Sequence, residues 1–77
     1  MKENLRAISS VLQLGEVVRI SRQSAGLTQS QLGEASNTSE IFILALEHGE
    51  PLSSLRGSIS VLAALGMELK LVSKNSK

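Results

Sequence analysis

Residues 26–49, GLTQSQLGEASNTSEIFILALEHG, decide how this chain folds. Thr28 supplies an N-cap hydroxyl, and Gln31 three residues later completes a capping box, so a helix runs from Thr28 to about Ser36. Asn37 tolerates the positive φ of a sharp turn. Ser39 then caps a second helix that reaches about His48. Where two such helices cross steeply a small residue is needed, and Gly33 stands mid-way along the first. Two helices joined by a tight turn make a helix-turn-helix, which places its second helix in a DNA major groove. The same spacing also suits a plain helix-loop-helix packing element.

Working outward, Leu12, Leu14, Val17 and Val18 recur at helical spacing and define a preceding helix that Gly26 ends. Residues 1–11 carry mixed charge and little periodicity and are expected to form a flexible arm, with a short ordered piece at Leu5 to Ile8. On the other side, Gly49 and Pro51 stop the second helix of the motif. The Ser53-Ser54 pair restarts the chain as a helix with Leu55, Ile59, Leu62 and Leu65 in its apolar stripe, and Gly66 closes it. Gly57 inside that helix costs about 1 kcal/mol relative to alanine.

The stretch MELKLV that follows alternates Met67, Leu69 and Leu71 against Glu68 and Lys70, a period of two that argues for a strand. A lone strand leaves its backbone groups without a ladder, so the expected partner is the same strand of a second copy. Residues 73–77 are expected to be a disordered tail. The fold class read from these signals is all-α, four to five helices within residues 12–72, with a short C-terminal β-strand pairing across a homodimer.

Composition sets the outer bounds. A chain of 77 residues makes one small domain and gains from oligomerisation. There are no cysteines, which fits a reducing cytoplasmic setting and removes thiolate metal sites. The apolar runs are too short to span a bilayer, and the polar N-terminus is unlike a signal peptide. One histidine, His48, and no aspartate leave neither a metal site nor a cofactor site in view. No serine, glutamate or lysine stands at a spacing that builds an activated nucleophile, so an enzyme is not expected. The formal charge of +1 is a weak footprint for nucleic acid.

The segment from Leu14 to Gly49 resembles the Cro/C1-type (XRE) helix-turn-helix family. That family's pattern is an Arg-x-x-Arg helix, then Gly-Leu-Thr-Gln-x-x-Leu-Ala, a turn, Ser-x-x-x-Ile and a closing Glu-x-Gly. Arg19, Arg22, Gly26, Leu27, Thr28, Gln29, Leu32, Ser39, Ile43, Glu47 and Gly49 fall in register with it. The continuation LSSLRGSISVLAALGMELKLV is similar to HipB-type antitoxins, in which a Leu-rich fourth helix ends in Ala-Leu-Gly and leads into a strand that pairs across a dimer.

This resemblance implies a homodimeric, DNA-binding transcriptional repressor. It would autoregulate a toxin-antitoxin operon at an inverted-repeat operator and bind a HipA-type serine/threonine kinase toxin. It further implies that Gln29 contacts the DNA backbone; the candidate DNA-binding residues are Thr28, Gln29, Ser39, Glu40, Ile41 and Ala45. Met67, Leu69 and Leu71 would form the dimer interface, and Arg22 and Glu47 an internal ion pair. Alternatives are a protein-binding module on the same fold and a stand-alone phage-type regulator.

A wheel of the second helix, at 100° per residue, sets Phe42, Ile43 and Leu46 on one face with Ser39 and Glu47, the face turned to a core. Glu40, Ile41, Leu44, Ala45 and His48 make the other face. In relatives the positions of Ile41 and Leu44 are often arginine or another polar residue, and the position of Glu50 is often lysine. Ile41 and Ala45 can pack on thymine methyls, and Glu40 can accept from cytosine N4. Equally, Ile41 and Leu44 can mark a protein interface or lie under the N-terminal arm. Backbone N–H groups at helix ends, with Arg19, Arg56, Lys2, Lys74 and Lys77, would then have to hold the phosphates.

Overall fold

The computed structural model describes residues 7–50, 54–70 and 73. Among them are four helices: α1 (Val11–Ser24), α2 (Gln29–Ala35), α3 (Glu40–Glu47) and α4 (Leu55–Ala64). Each begins at a hydroxyl residue whose side chain accepts an otherwise unpaired N–H of the first turn: Ser10 from Gln13, Thr28 from Gln31, Ser39 from Phe42 and Ser54 from Gly57. At Thr28 the box closes both ways, since Gln31 Oε1 accepts the Thr28 N–H at 2.9 Å. Helices α1, α3 and α4 are each followed by a glycine at positive φ, Gly26, Gly49 and Gly66, as the sequence predicts.

Each helix contributes to one core. Val18 of α1, Leu32 of α2, Ile43 and Leu46 of α3, and Val61 and Leu62 of α4 are buried, and Leu14, Leu27, Phe42, Leu65 and Met67 pack against them. Full burial of such side chains is worth about 1.5–3 kcal/mol each. Helix α3 packs against both α1 and α2, and α4 packs against α2. Packed between these two neighbours, α3 buries Ile43, Leu46 and Glu47, while Ile41 and Leu44 stay exposed.

The expected stripe on α4 is corrected by the structure. Ser58, Val61 and Leu62 face inward, whereas Leu55 and Ile59 stand exposed one turn apart. The reason lies at Gly57, where a Cβ would meet Phe42 Cζ at 2.5 Å. The ring takes the space the glycine leaves, so the first turns of α4 dock at Gly57 and Ser58 while Leu55 and Ile59 turn out, and Val61, Leu62 and Leu65 further along still reach the core. Gly57 therefore exchanges helix propensity for a seat under Phe42.

The expected strand is not seen among the described residues. Met67–Lys70 carry no regular structure, and Leu71 and Val72 lie outside the described residues. A ladder needs a second strand, which in the expected arrangement comes from a second copy. Met67 instead caps α4, donating its N–H to the Leu62 carbonyl at 2.8 Å, and its sulfur accepts from the Ser21 hydroxyl at 3.9 Å. Leu69 is exposed. Of the expected arm, residues 1–6 lie outside the described set; Ala7–Ser10 precede α1 without helical structure, and α1 begins at Val11. Of the ordered piece expected at Leu5 to Ile8, only Ala7 and Ile8 are described. The expected tail, apart from Ser73, lies outside the described residues.

Candidate nucleic-acid interface

The candidate site is built by α2, the turn and α3. Its angle is fixed at Gly33, where a Cβ would stand 2.6 Å from the Ser39 carbonyl carbon and 2.9 Å from the Glu40 nitrogen. Both are backbone atoms, so the helices can approach this closely only over glycine. The turn is then locked by hydrogen bonds. Asn37 sits at φ 60°, its N–H donates to Glu34 O and the Thr38 N–H donates to Gly33 O, the paired bonds of a Schellman motif. Buried Ser36 donates its hydroxyl to Leu32 O at 2.8 Å and lies 2.8 Å from the Thr38 hydroxyl.

A second fixation holds the far end of α3. The Glu47 carboxylate accepts Arg22 Nε at 2.6 Å and Nη2 at 3.2 Å, while Arg22 Nη1 donates to Leu27 O at 2.9 Å. One guanidinium thus ties α1, the start of the helix-turn-helix and the end of α3 together. Helix α1 reaches α3 at Gly15, where a Cβ would fall on the Leu46 carbonyl oxygen. The sequence reading does not single out Gly15; a glycine inside an otherwise regular helix is the signal that points to it.

The structure brings Ser39, Glu40 and Ile41 together at the N-terminus of α3, with Ala45 one turn further along. Glu40 is exposed, Ile41 is 78% exposed, Leu44 is 43% exposed, and Ala45 is half-buried. Phe42, Ile43, Leu46 and Glu47 lie on the inner side, as the wheel predicts. Ser39 uses its oxygen to accept the Phe42 N–H, and its own hydroxyl proton stays available. Thr28 is exposed at the N-terminus of α2 with its oxygen used in the same way.

Gln29 departs from the simple expectation of a side chain held out to DNA. Its Nε2 donates to Glu47 Oε1 at 3.0 Å, so the amide is turned onto the same carboxylate that holds Arg22. An amide nitrogen carries two protons, and only one is needed for that bond. Of the cations expected to hold phosphates, Arg19 lies 3.9 Å from Glu16 in an exposed pair worth little, and Arg56 is exposed on α4. Lys2, Lys74 and Lys77 lie outside the described residues.

No group of three or more metal-ligating side chains occurs among the described residues, and no helix there is long and apolar enough to cross a membrane. A scan against family models and a search of curated proteins match nothing. Solved structures do match. A chain of the HipA-HipB-O2-O3 complex superposes with a TM-score of 0.81 at 24% identity, covering 92% of this chain and all of that one. The chain has the HipB fold. A HipB-O4 20mer complex matches with a TM-score of 0.80 at 24% identity over 92% of this chain. A HipB-O1-O2 complex matches with a TM-score of 0.78 at 25% identity over 90% of this chain, again covering all of the other. The HipB-like helix-turn-helix is thus the whole frame on which the residues of α3 are displayed.

Proposed function

We propose that this chain is a HipB-like antitoxin and DNA-binding transcriptional repressor that autoregulates a toxin-antitoxin operon and binds a HipA-type serine/threonine kinase. The observation that carries this reading is a rigid helix-turn-helix whose second helix turns Glu40, Ile41 and Leu44 outward. It is joined to a fold shared, over nearly its whole length, with HipB in complexes with O2-O3 and with an O4 20mer. Ser39, Glu40, Ile41 and Ala45 would meet base edges, and Thr28 and the second amide proton of Gln29 would meet the DNA backbone.

In this reading two copies pair through the segment containing Met67, Leu69 and Leu71, and a two-fold dimer recognises an inverted repeat. Its half-sites lie about 34 Å apart, or a multiple of that. No cofactor and no catalytic step enter. With few cations on the described surface, affinity should depend weakly on salt, because each neutralised phosphate contributes only about −0.9 to the slope of log K against log salt.

The test is a gel-shift titration on the DNA upstream of the chain's own coding sequence across a salt series. A discrete shift that survives competitor DNA supports the reading. Absence of any shift at low salt overturns it and favours the second reading, in which the exposed Ile41 and Leu44 bind a protein partner.

A further inference from the structure

Ile41 is the most exposed of the large apolar side chains among the described residues, and it stands in the first turn of α3, the part of a recognition helix that reaches base edges. Leu44 and Ala45 follow at three and four residues, on the same side of the helix. From Glu40 to Glu47 there is no lysine, arginine, asparagine or glutamine. The commonest guanine contact, a two-pronged donation to O6 and N7, and the matching amide contact to adenine have no side chain to make them. Glu40 adds a bar, because its carboxylate would face the same acceptor atoms of guanine with like sign.

Only one base presents an apolar group in the major groove, the C5-methyl of thymine, and only cytosine presents a donor there without an acceptor beside it on the same base. We propose that α3 reads thymine by its methyl group, with Ile41 seated on it, and that Glu40 selects a neighbouring cytosine through its N4 amino group. This inference rests on the DNA-binding reading and deepens it. Specificity comes from what α3 covers and repels, while helix N-termini and cations elsewhere hold the phosphates. Ile41 and Glu40 are the specificity-determining residues, and the order of bases in a half-site follows from their adjacency.

The experiment is a selection from a random-sequence duplex library with the full chain at low salt. The selected duplex is then synthesised with deoxyuridine in place of thymidine, one position at a time. Removing a covered methyl should weaken binding about fourfold at the contacted position, the effect of losing one buried methylene-sized group. Ile41→Ala, at an exposed site that leaves the fold intact by its melting curve, should abolish sensitivity to deoxyuridine at that position alone. Selected half-sites without thymine, or full affinity for every deoxyuridine duplex, overturn the inference while leaving DNA binding in place. A chain that enriches no sequence and binds no duplex at low salt overturns both this inference and the reading beneath it.

Discussion

Replacing Glu47 by alanine should unfold this domain at a much lower temperature than any surface change. Its side chain is 4% exposed and that of Arg22 is 12% exposed, so neither charge has water to fall back on. The carboxylate accepts two N–H bonds from Arg22 and one from Gln29, and the variant leaves all three donors unpaired inside the junction of α1, α2 and α3. Breaking such a pair from one side costs about 3–5 kcal/mol. A domain of this length has a total stability of about 4–12 kcal/mol. Each kcal/mol moves Tm by about 4–8 °C at this size, so the expected drop is about 12 °C or more. A far-UV circular dichroism melt measures it directly. The double variant Arg22→Met with Glu47→Leu should recover much of the loss, because no charge is then left buried alone. A Tm within about 4 °C of the parent in the single variant, or simple additivity of the two changes, would refute the reasoning.

Three further outcomes follow from the same structure. Gly33→Ala drives a Cβ into the Ser39 and Glu40 backbone; overpacking of about 1–3 kcal/mol should lower Tm and also weaken DNA binding, because the angle of α3 changes. A gel shift run below the variant's own transition separates the two effects. Thr28→Ala removes the hydroxyl half of the capping box, leaving the backbone N–H of residue 28 on Gln31, and should cost about 1 kcal/mol, read by thermal melt. Leu69→Lys places a charge in the proposed shared sheet at a residue exposed in the single chain. Sedimentation should then report monomer, and an unchanged dimer would remove that segment from the interface.

What the sequence determined by itself is local. Thr28 with Gln31, Ser39 with Phe42 and Asn37 at the turn act over three or four residues, so their chemistry can be read directly from spacing, and the structure bears each of them out. The inner face of α3 was equally legible, since helical periodicity alone assigns Ile43 and Leu46 to the core. The pairing of Arg22 with Glu47 came from a family resemblance and is present at 2.6 Å.

Tertiary structure decided what lies between elements. The outward turn of Leu55 and Ile59 depends on where the Phe42 ring meets Gly57, fifteen residues away, and periodicity within α4 is blind to that contact. The inward turn of the Gln29 amide depends on a carboxylate eighteen residues along the chain, because a buried charge draws in every donor within reach. The apolar alternation of residues 67–71 carries the opposite lesson: a strand pattern becomes a strand only beside a partner, and within one chain Met67 spends its backbone donor on the end of α4.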